Sequence, residues 1–272
     1  MPELPEVETT RRGLSPHLEG RRLQSIEIHQ RNLRHPIPLF LENKLANQML
    51  QRIERRAKYL LFRFERATVI AHLGMSGAFR VIREQSFPWK KHEHFRWYFD
   101  NNGILCYHDP RRFGFLDYHE ALDHLPPYLA KLGPEPLSDD FSADYLYQRS
   151  RGRSAPIKNF IMEQTLVAGI GNIYACEALF LAKIRPTTPA GKIGRVRLAR
   201  LVDAIKAVLS QAIAAGGTTL KDFIRTDGRP GYFAQRLEVY GRDEAPCSIC
   251  QKTIRRIVIS GRSTYYCASC QR

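Results

Sequence analysis

The chain has 272 residues, long enough to bury a full hydrophobic core and to form two domains. Its 42 lysines and arginines against 27 aspartates and glutamates give a formal net charge of +15, which favours a polyanionic partner such as nucleic acid. No apolar run of about 18 residues predicts a membrane span, and the acidic N-terminus is unlike a signal peptide, so we expect a cytoplasmic protein without a membrane partner.

The N-terminus allows two interpretations. A small residue at position 2 generally permits removal of Met1, which leaves Pro2 as a free secondary amine beside Glu3 and Glu6. An α-amino group has a pKa of about 7.7 to 8.0, so at neutral pH part of it is unprotonated and able to form a Schiff base. The alternative is that Pro2 and Pro5 only begin a helix, with Glu6 and Glu8 at its positive end. Taken alone, these few residues favour the alternative.

The first half of the chain predicts strands. The runs lie at residues 23–28, 59–64, 68–73 and 79–82. The clearest element is a hairpin, because aromatic residues alternate from Phe95 to Phe99 before an Asn-Asn-Gly sequence turns the chain into a second strand. We predict a sheet-rich N-terminal domain over residues 1–132, built as a sandwich.

The second half predicts helices. Proline and acidic residues mark 132–140 as a linker, and the next domain, 133–238, contains a helical pattern over 173–183. The apolar spacing of a further helix is carried by Leu201, Ile205, Val208 and Leu209. A cysteine-bounded segment, 239–272, closes the chain.

Two CxxC pairs near the C-terminus have the spacing of a zinc ribbon. Sixteen residues separate the pairs, and isoleucines alternate between them as in a β-hairpin. Disulfides or a redox CxxC are the alternatives, but the presence of two CxxC pairs argues against both. Four protein ligands leave no open coordination position, so we predict one structural zinc ion. The predicted ligands are Cys247, Cys250, Cys267 and Cys270.

Two glycine-containing segments each follow a strand and place unusual residues on loops. Met75 lies within HLGMSG at 72–77, and Arg111 and Phe113 lie within DPRRFG at 109–114. Exposed Met, Arg and Phe near a basic surface are suited to fill the gap left by an extruded base. Core packing is the ordinary alternative for Met and Phe.

Three further residues have weaker signals. Gly169-Ile-Gly-Asn172 precedes a helical pattern, where backbone N–H groups and a capping Asn172 suit an anion, although an interhelical turn is equally consistent. Lys158, nearby in sequence, and the overall charge strengthen the anion interpretation. Lys58 enters a strand, and an exposed, solvated lysine is the usual case there.

Together these residues resemble the formamidopyrimidine-DNA glycosylase family, and the similarity extends through nearly the whole chain. Its segments occur in the family's order: MPELPEVE, RRAKYL, HLGMSG, DPRRFG, LGPEPLSDDF, GIGNIYA, GGTTLKDF, DGRPGYFAQ, VYGR and the zinc ribbon. The related endonuclease VIII enzymes usually begin MPEGPE and lack these versions of HLGMSG and DPRRFG. One departure is Cys176, where serine or aspartate is more usual.

The resemblance implies an α+β architecture. It consists of an N-terminal antiparallel β-sandwich with flanking helices and a C-terminal helix-two-turn-helix domain with a zinc-ribbon β-hairpin. The implied function is a bifunctional DNA glycosylase and abasic-site lyase of base-excision repair, which removes 8-oxoguanine and formamidopyrimidines from double-stranded DNA. The enzyme is expected to be a monomer associated with the bacterial nucleoid.

The resemblance also implies roles for individual residues. Pro2 is the Schiff-base nucleophile, Glu3 protonates the sugar ring oxygen, and Glu6 helps to orient and deprotonate that centre. Lys58 assists β-elimination and Arg262 assists δ-elimination. The implied DNA contacts are His72, His92, Arg153, Lys158 and Asn172, with Met75, Arg111 and Phe113 in the vacated stack. The segment 218–240 resembles the loop that closes over the extruded purine.

Two other functions remain consistent with the motifs. One is an endonuclease VIII-like glycosylase for oxidised pyrimidines, and the other is a non-catalytic zinc-ribbon binder of nucleic acid. A pure binder has no need for a processed proline beside two glutamates, which favours an enzyme.

Overall fold

Eight antiparallel strands occur in the N-terminal part of the computed structural model, which describes residues 2–83, 88–120, 125–216 and 237–272. They are β1 Arg21–Ile28, β2 Met49–Arg56, β3 Tyr59–Phe64, β4 Thr68–His72, β5 Ala78–Ile82, β6 Glu93–Phe99, β7 Ile104–His108 and β8 Phe115–His119. Their order is β5-β7-β6-β1-β2-β3-β4-β8.

Strand β1 belongs to two sheets. Its first two residues pair with β2, and the residues from Leu23 onward pair with β6, with a register shift between Leu23 and Ser25. Phe62 on β3 packs edge-on against Trp97 on β6 at 5.3 Å and against Phe79 on β5 at 5.6 Å between ring centroids. The two sheets therefore face each other across an aromatic core, which confirms the predicted antiparallel β-sandwich.

The predicted hairpin is confirmed and its turn has a local cause. Asn101 Oδ1 accepts a hydrogen bond from the Gly103 N–H at 3.0 Å, and Asn102 adopts a φ of 61°. Asparagine tolerates this left-handed conformation better than most residues, so the Asn-Asn-Gly sequence fixes the turn. The patterns did not predict β2 or β8, because only Leu50 and Ile53 of β2 and Leu116 of β8 are buried.

Two helices flank the sandwich, α1 Leu4–Leu18 and α2 Leu41–Leu45. Helix α1 buries Val7, Leu14 and Leu18 in the core of the sandwich, and these residues recur at helical spacing. The helix is therefore anchored to the sandwich by its apolar face.

The C-terminal part is helical. Its helices are α3 Pro127–Ala130, α4 Ala143–Ser150, α5 Ile157–Met162, α6 Asn172–Leu181 and α7 Arg195–Ala214, with a 3₁₀ turn at Ala190–Lys192. The stripe predicted for α7 is buried along its whole length, at Leu201, Ile205, Val208 and Leu209. Helices α4 and α6 pack against α7.

The cysteine segment folds onto α6. Its hairpin consists of β9 Arg255–Ile259 and β10 Arg262–Tyr266. The buried Glu177 carboxylate on α6 accepts hydrogen bonds from the backbone N–H groups of Glu238, Val239 and Tyr240, at 2.8, 3.0 and 2.8 Å. The helical part and the cysteine segment therefore share one core.

The described residues divide into two compact units: the first consists of residues up to Pro126 together with 215–216, and the second consists of 127–214 and 237–272. The predicted linker lies within the second unit, where the Gly133 N–H donates to the Gln164 carbonyl at 2.9 Å. The division into 1–132, 133–238 and 239–272 stays a prediction. None of the described helices combines the length and apolar character needed to cross a bilayer.

Candidate functional site

Three predicted catalytic residues lie at the start of α1. Pro2, Glu3 and Glu6 are all buried, and Glu3 is the N-cap of the helix. The Glu3 N–H donates to Glu6 Oε2 at 2.8 Å, which orients the Glu6 carboxylate toward the first residues of the chain. Both earlier interpretations of this segment are thus compatible, because the prolines and glutamates begin the helix and also gather two carboxyl groups beside Pro2.

Glu8 fixes this helix to the sheet. Its carboxylate pairs with Arg11 and Arg12 at 2.8 Å and with Arg55 on β2 at 3.2 Å. Burial alone would raise the pKa of Glu8, but hydrogen bonds from Arg11 and Arg12 and the charges of Arg11 and Arg55 lower it to about 2. The sequence predicts Glu8 only at the positive end of the helix dipole. It does not reveal that Arg55, 47 residues away, reaches the same carboxylate.

Lys58 lies in the turn between β2 and β3. It follows Ala57, which has a φ of 51°, and Lys58 is only 8 % exposed. The expectation of a solvated strand lysine is therefore wrong, because the turn directs the residue into the protein. Arg55 Nη1 also donates to the Ala57 carbonyl at 3.1 Å, so the same arginine contacts Glu8 and the turn that contains Lys58.

His72, at the end of β4, is held neutral. Burial, with the positive charges of Lys58 and Arg34, lowers the pKa of His72 to about 4. Its ring stacks on Phe115 at 5.6 Å, and Nδ1 accepts the Gly74 N–H at 3.1 Å. A neutral ring with Nδ1 as acceptor carries its proton on Nε2, so His72 offers a hydrogen-bond donor at that nitrogen.

Three residues are predicted to fill the gap left by an extruded base, and they form the wedge: Met75, Arg111 and Phe113. The two loops that contain these wedge residues are adjacent. A Cβ added to Gly74 would lie 2.4 Å from the Phe113 carbonyl carbon, so the loop backbones touch. Met75 is 37 % and Phe113 44 % exposed, and the Arg111 guanidinium lies 4.8 Å from the Phe113 ring centroid. Core packing, the ordinary alternative for Met75 and Phe113, is therefore excluded. His92 is also exposed, with a φ of 66°.

Two buried polar residues inside these loops had no predicted role. Ser76 and Asp109 are each fully buried, and the Ser76 hydroxyl donates to Asp109 Oδ1 at 2.6 Å. The available signal was a polar side chain within each motif, but the sequence does not reveal that the two motifs meet.

The second unit gathers another predicted group around the zinc hairpin. Asn172 Nδ2 donates to the Ser263 carbonyl on β10 at 2.9 Å, beside the exposed Arg262. Asn172 is not the cap of α6, because Gly171 occupies that position. The prediction of a capping Asn172 is therefore wrong, and its side chain instead joins the helix to the hairpin.

Lys158 and Arg153 have different environments. Lys158 is fully buried and its Nζ donates to Thr264 Oγ1 on β10 at 2.7 Å. Arg153 is exposed and pairs with Glu163 at 2.5 Å. The Lys158 ammonium group thus links α5 to the hairpin, and direct phosphate contact by either residue stays a prediction.

The four predicted zinc ligands converge. Their sulfur atoms all lie within 4.8 Å of one another, with Cys247 and Cys270 at 3.9 Å and Cys250 and Cys267 at 3.4 Å. Zn–S bonds of about 2.3 Å in a tetrahedron place sulfurs about 3.8 Å apart, so the four thiolates fit one zinc ion. The other two cysteines are both buried, Cys106 on β7 and Cys176 on α6.

Three family models match successive parts of the chain. The model of the formamidopyrimidine-DNA glycosylase N-terminal domain covers residues 1–116, and that of the formamidopyrimidine-DNA glycosylase H2TH domain covers 132–224. The model of the zinc finger found in FPG and IleRS covers 245–272. Together they confirm the predicted order of modules.

Whole proteins match over their full length. The formamidopyrimidine-DNA glycosylase of Stenotrophomonas maltophilia strain K279a is 51 % identical over 272 residues, with all of both chains covered. The crystal structure of Fpg from Thermus thermophilus is 37 % identical, with a TM-score of 0.87 over 99 % of this chain and 98 % of that chain. A complex of Lactococcus lactis Fpg with abasic-site DNA is 36 % identical, with a TM-score of 0.91 and both chains fully covered. Other complexes of the Lactococcus lactis protein contain Fapy-dG or an oxidised pyrimidine in the DNA.

The chain resembles these proteins over its full length, and its fold and cysteine site agree with theirs. These findings define the class of protein: it is a DNA glycosylase of base-excision repair with one structural zinc site. The chain belongs to the formamidopyrimidine-DNA glycosylase family. The segment 218–240, expected to close over the purine, lies outside the described residues except for its last four positions.

Proposed function

We propose that this enzyme removes oxidised purines, chiefly 8-oxoguanine and formamidopyrimidines, from duplex DNA and then cleaves the strand at the vacated sugar. Pro2, freed by removal of Met1, is the nucleophile toward C1′ of the damaged nucleotide. Glu3 protonates the ring oxygen as the sugar opens, and Glu6 orients and deprotonates that centre. The DNA of the bacterial nucleoid is then the natural location of the enzyme.

The observation that carries this proposal is the buried acid pair at the start of α1. Glu6 accepts the Glu3 N–H at 2.8 Å, and both side chains are almost fully removed from solvent. Buried carboxyl groups are uncommon without a partner or a function, because burial disfavours their charged form. Because Glu3 and Glu6 lie next to the secondary amine of Pro2, their position supports one carboxyl group as the acid and the other as the base for that nucleophile.

The proposed covalent step balances without a redox cofactor. The Pro2 nitrogen bonds to C1′ while the bond from C1′ to the base breaks, and the base leaves with the bonding electrons and a proton. The Pro2 nitrogen then loses its own proton, and the bond from C1′ to the ring oxygen breaks as Glu3 protonates that oxygen, which opens the sugar and forms the C1′–nitrogen double bond. The resulting iminium has no nitrogen proton to lose, so it keeps its charge and acts as an electron sink. Removal of a C2′ proton then expels the 3′ phosphate, and a second elimination expels the 5′ phosphate.

We assign the two eliminations to different residues. Lys58 assists the first, supported by its near-complete burial and by its charge beside neutral His72. Arg262, exposed at the start of β10, binds phosphate and assists the second. We assign His72 to DNA binding, and the proposed phosphate contacts are His92, Arg111, Arg153, Lys158 and Asn172.

Recognition of the lesion is assigned to the exposed residues of the two adjacent loops. Met75, Arg111 and Phe113 replace the extruded base in the stack, and the Arg111 guanidinium donates to the orphaned partner. Cytosine offers acceptors on its open pairing edge, so we expect excision opposite cytosine to exceed excision opposite adenine. This bias prevents fixation of a mutation when adenine has been misinserted.

Oxidised pyrimidines are the second candidate substrate, because one Lactococcus lactis Fpg structure contains an oxidised pyrimidine in its DNA. Single-turnover rates on thymine glycol and 8-oxoguanine duplexes separate the candidates. A clear preference for 8-oxoguanine supports the proposal. Comparable rates, with no preference for cytosine over adenine, support the endonuclease VIII-like alternative.

Borohydride trapping tests the nucleophile. Reaction with abasic-site DNA should give a covalent adduct on the N-terminal peptide, and intact mass should show that Met1 is absent. The Glu3→Gln variant should lose excision of intact damaged nucleotides but keep cleavage of preformed abasic sites, because only excision must expel a base. An adduct mapped to Lys58, together with a fully active Pro2→Gly variant, would refute the assignment.

A further inference from the structure

The side chain of Asp109 is the centre of a fully buried hydrogen-bond network. Its Oδ1 accepts from the Ser76 hydroxyl at 2.6 Å and from the Arg111 N–H at 3.3 Å. Its Oδ2 accepts from the Gly114 N–H at 2.8 Å and from the Tyr107 hydroxyl at 3.2 Å. One carboxylate therefore receives two backbone donors from its own turn and two hydroxyl donors from outside that turn.

The backbone of Asp109 is held as well. Its N–H donates to the His92 carbonyl at 2.9 Å, and its carbonyl lies 2.7 Å from His94 Nε2. Asp109 is consequently fixed to β6 and β7 of the sandwich rather than to a mobile loop tip. A carboxylate with about four acceptor positions, all directed at donors, is the one side chain that satisfies this arrangement.

Ser76 connects the two loops. It belongs to the 72–77 segment, donates to Asp109 and accepts the Arg111 N–H at 3.2 Å through the same oxygen. Close backbone contact adds to this link, because a Cβ at Gly74 would meet the Phe113 carbonyl at 2.4 to 2.6 Å. The loop with Met75 and the loop with Arg111 and Phe113 are therefore held together by hydrogen bonds through Ser76 and by direct backbone contact.

We propose that Asp109 is a positioning residue for lesion recognition and that Ser76 transmits its effect between the loops. Asp109 and Ser76 hold the two loops together, so that Met75, Arg111 and Phe113 enter the base stack in a fixed relative arrangement. This inference rests on the wedge role proposed above for those residues. Neither Asp109 nor Ser76 is proposed to touch the DNA.

The physical reason lies in the cost of base extrusion. Unstacking a nucleotide costs a few kcal/mol, and the inserted side chains offset that cost only when they occupy the gap together. A displacement of about 1 Å is able to reduce rates by about a hundredfold in a precisely arranged site. A rigid anchor for the wedge thus acts on excision from duplex DNA and on discrimination of the opposite base.

Two variants disturb the anchor in different ways. Ser76→Ala removes the link between the loops but leaves Asp109 with its other donors. Asp109→Asn replaces one acceptor oxygen by an amide donor, which must face either Ser76 and Arg111 or Gly114 and Tyr107. Tyr107→Phe is the matched control, because it removes a hydrogen bond to the same carboxylate without separating the loops.

The measurements are single-turnover excision of 8-oxoguanine opposite cytosine and opposite adenine, cleavage of an abasic site in single-stranded DNA, and the melting temperature. Ser76→Ala should slow excision opposite cytosine about tenfold, and Asp109→Asn about a hundredfold. Both should reduce the preference for cytosine over adenine. Cleavage of the single-stranded abasic site should be unchanged, since no stack is entered, and Tyr107→Phe should keep the wild-type preference.

The outcome also separates this inference from the wedge assignment. Phe113→Ala should itself lower duplex excision relative to single-strand cleavage. Equal loss of all rates in the Ser76 and Asp109 variants, in proportion to melting temperature, would mean a purely structural role and overturn the inference alone. An insensitive Phe113→Ala variant would overturn the wedge assignment, and the inference would fall with it.

Discussion

The ion-pair cluster around Glu8 gives a prediction about the stability of the first unit. Glu8→Gln removes the charge that holds Arg11, Arg12 and Arg55 together, and it loosens the attachment of α1 to β2. Lowering the Glu8 pKa from 4.5 to about 2 corresponds to at most about 3 kcal/mol of folding free energy. Partial exposure of the arginines screens the interaction, so we expect a loss of about 1–2 kcal/mol at pH 7.

The pH dependence follows from the direction of the pKa shift. The folded state has the lower pKa, so the unfolded state binds a proton first as pH falls. The stabilising contribution of Glu8 is complete above its unfolded pKa near 4.5 and disappears as pH falls to about 2. The difference between wild type and Glu8→Gln should therefore be full at pH 7 and less than half as large at pH 3.

Urea unfolding followed by tryptophan fluorescence measures this difference. The chain has two tryptophans, Trp89 and Trp97, and both lie in the first unit, so the signal reports that unit directly. Glu54→Gln is the matched control, because Glu54 also pairs with two arginines but is 36 % exposed against 9 % for Glu8. Equal effects of the two substitutions, or a Glu8 effect that is independent of pH, would refute the reasoning.

Three further predictions concern the metal site, the wedge loops and the DNA interface. Cys247→Ser should lose the zinc ion and most DNA affinity, measured by metal content and fluorescence anisotropy, whereas Cys106→Ser should lose neither; full affinity in a metal-free variant would contradict this. Gly114→Ala should destabilise the first unit by about 1–3 kcal/mol in urea, because its Cβ would lie 1.8 Å from the Tyr107 hydroxyl, whereas Gly194→Ala, in open space, should be neutral. DNA affinity should fall linearly on a log–log plot against salt concentration, as phosphate contacts release counterions, and an affinity independent of salt would exclude them.

Local patterns explain which parts of the fold were predictable. The β6–β7 hairpin, the buried stripe of α7 and the convergence of the four cysteines each depend on residues within one short segment. Strands β2 and β8 were not predicted, since they are rich in charged or half-buried residues and gain their order from pairing with β3 and β4. The exposure of Met75 and Phe113 has a local signal, because a glycine adjoins each residue and Arg112 adjoins Phe113 in sequence.

The candidate site was predictable as a set of residues but not as a set of environments. Motifs indicated Pro2, Glu3, Lys58 and Arg262, yet they did not reveal that Lys58 is nearly buried. Nor did they show that Lys158 is enclosed against Thr264. These properties depend on which distant segments surround a side chain, and burial is the sum of those contacts.

The sequence by itself determined the family, the zinc ligands, the sandwich and the residues available for chemistry, because each is written in residue types at short, fixed spacings. Only the tertiary structure decided the charge states and the connections between them. Glu8 has a pKa of about 2 because arginines from α1 and from β2 meet there. His72 is neutral because it is buried and because the charges of Lys58 and Arg34, which are remote in sequence, disfavour its protonation. Asp109 and Ser76 are 33 residues apart and join their loops only because the strands bring them within 2.6 Å. Electrostatic and hydrogen-bond energies depend on distance in space, which a linear order of residues does not specify.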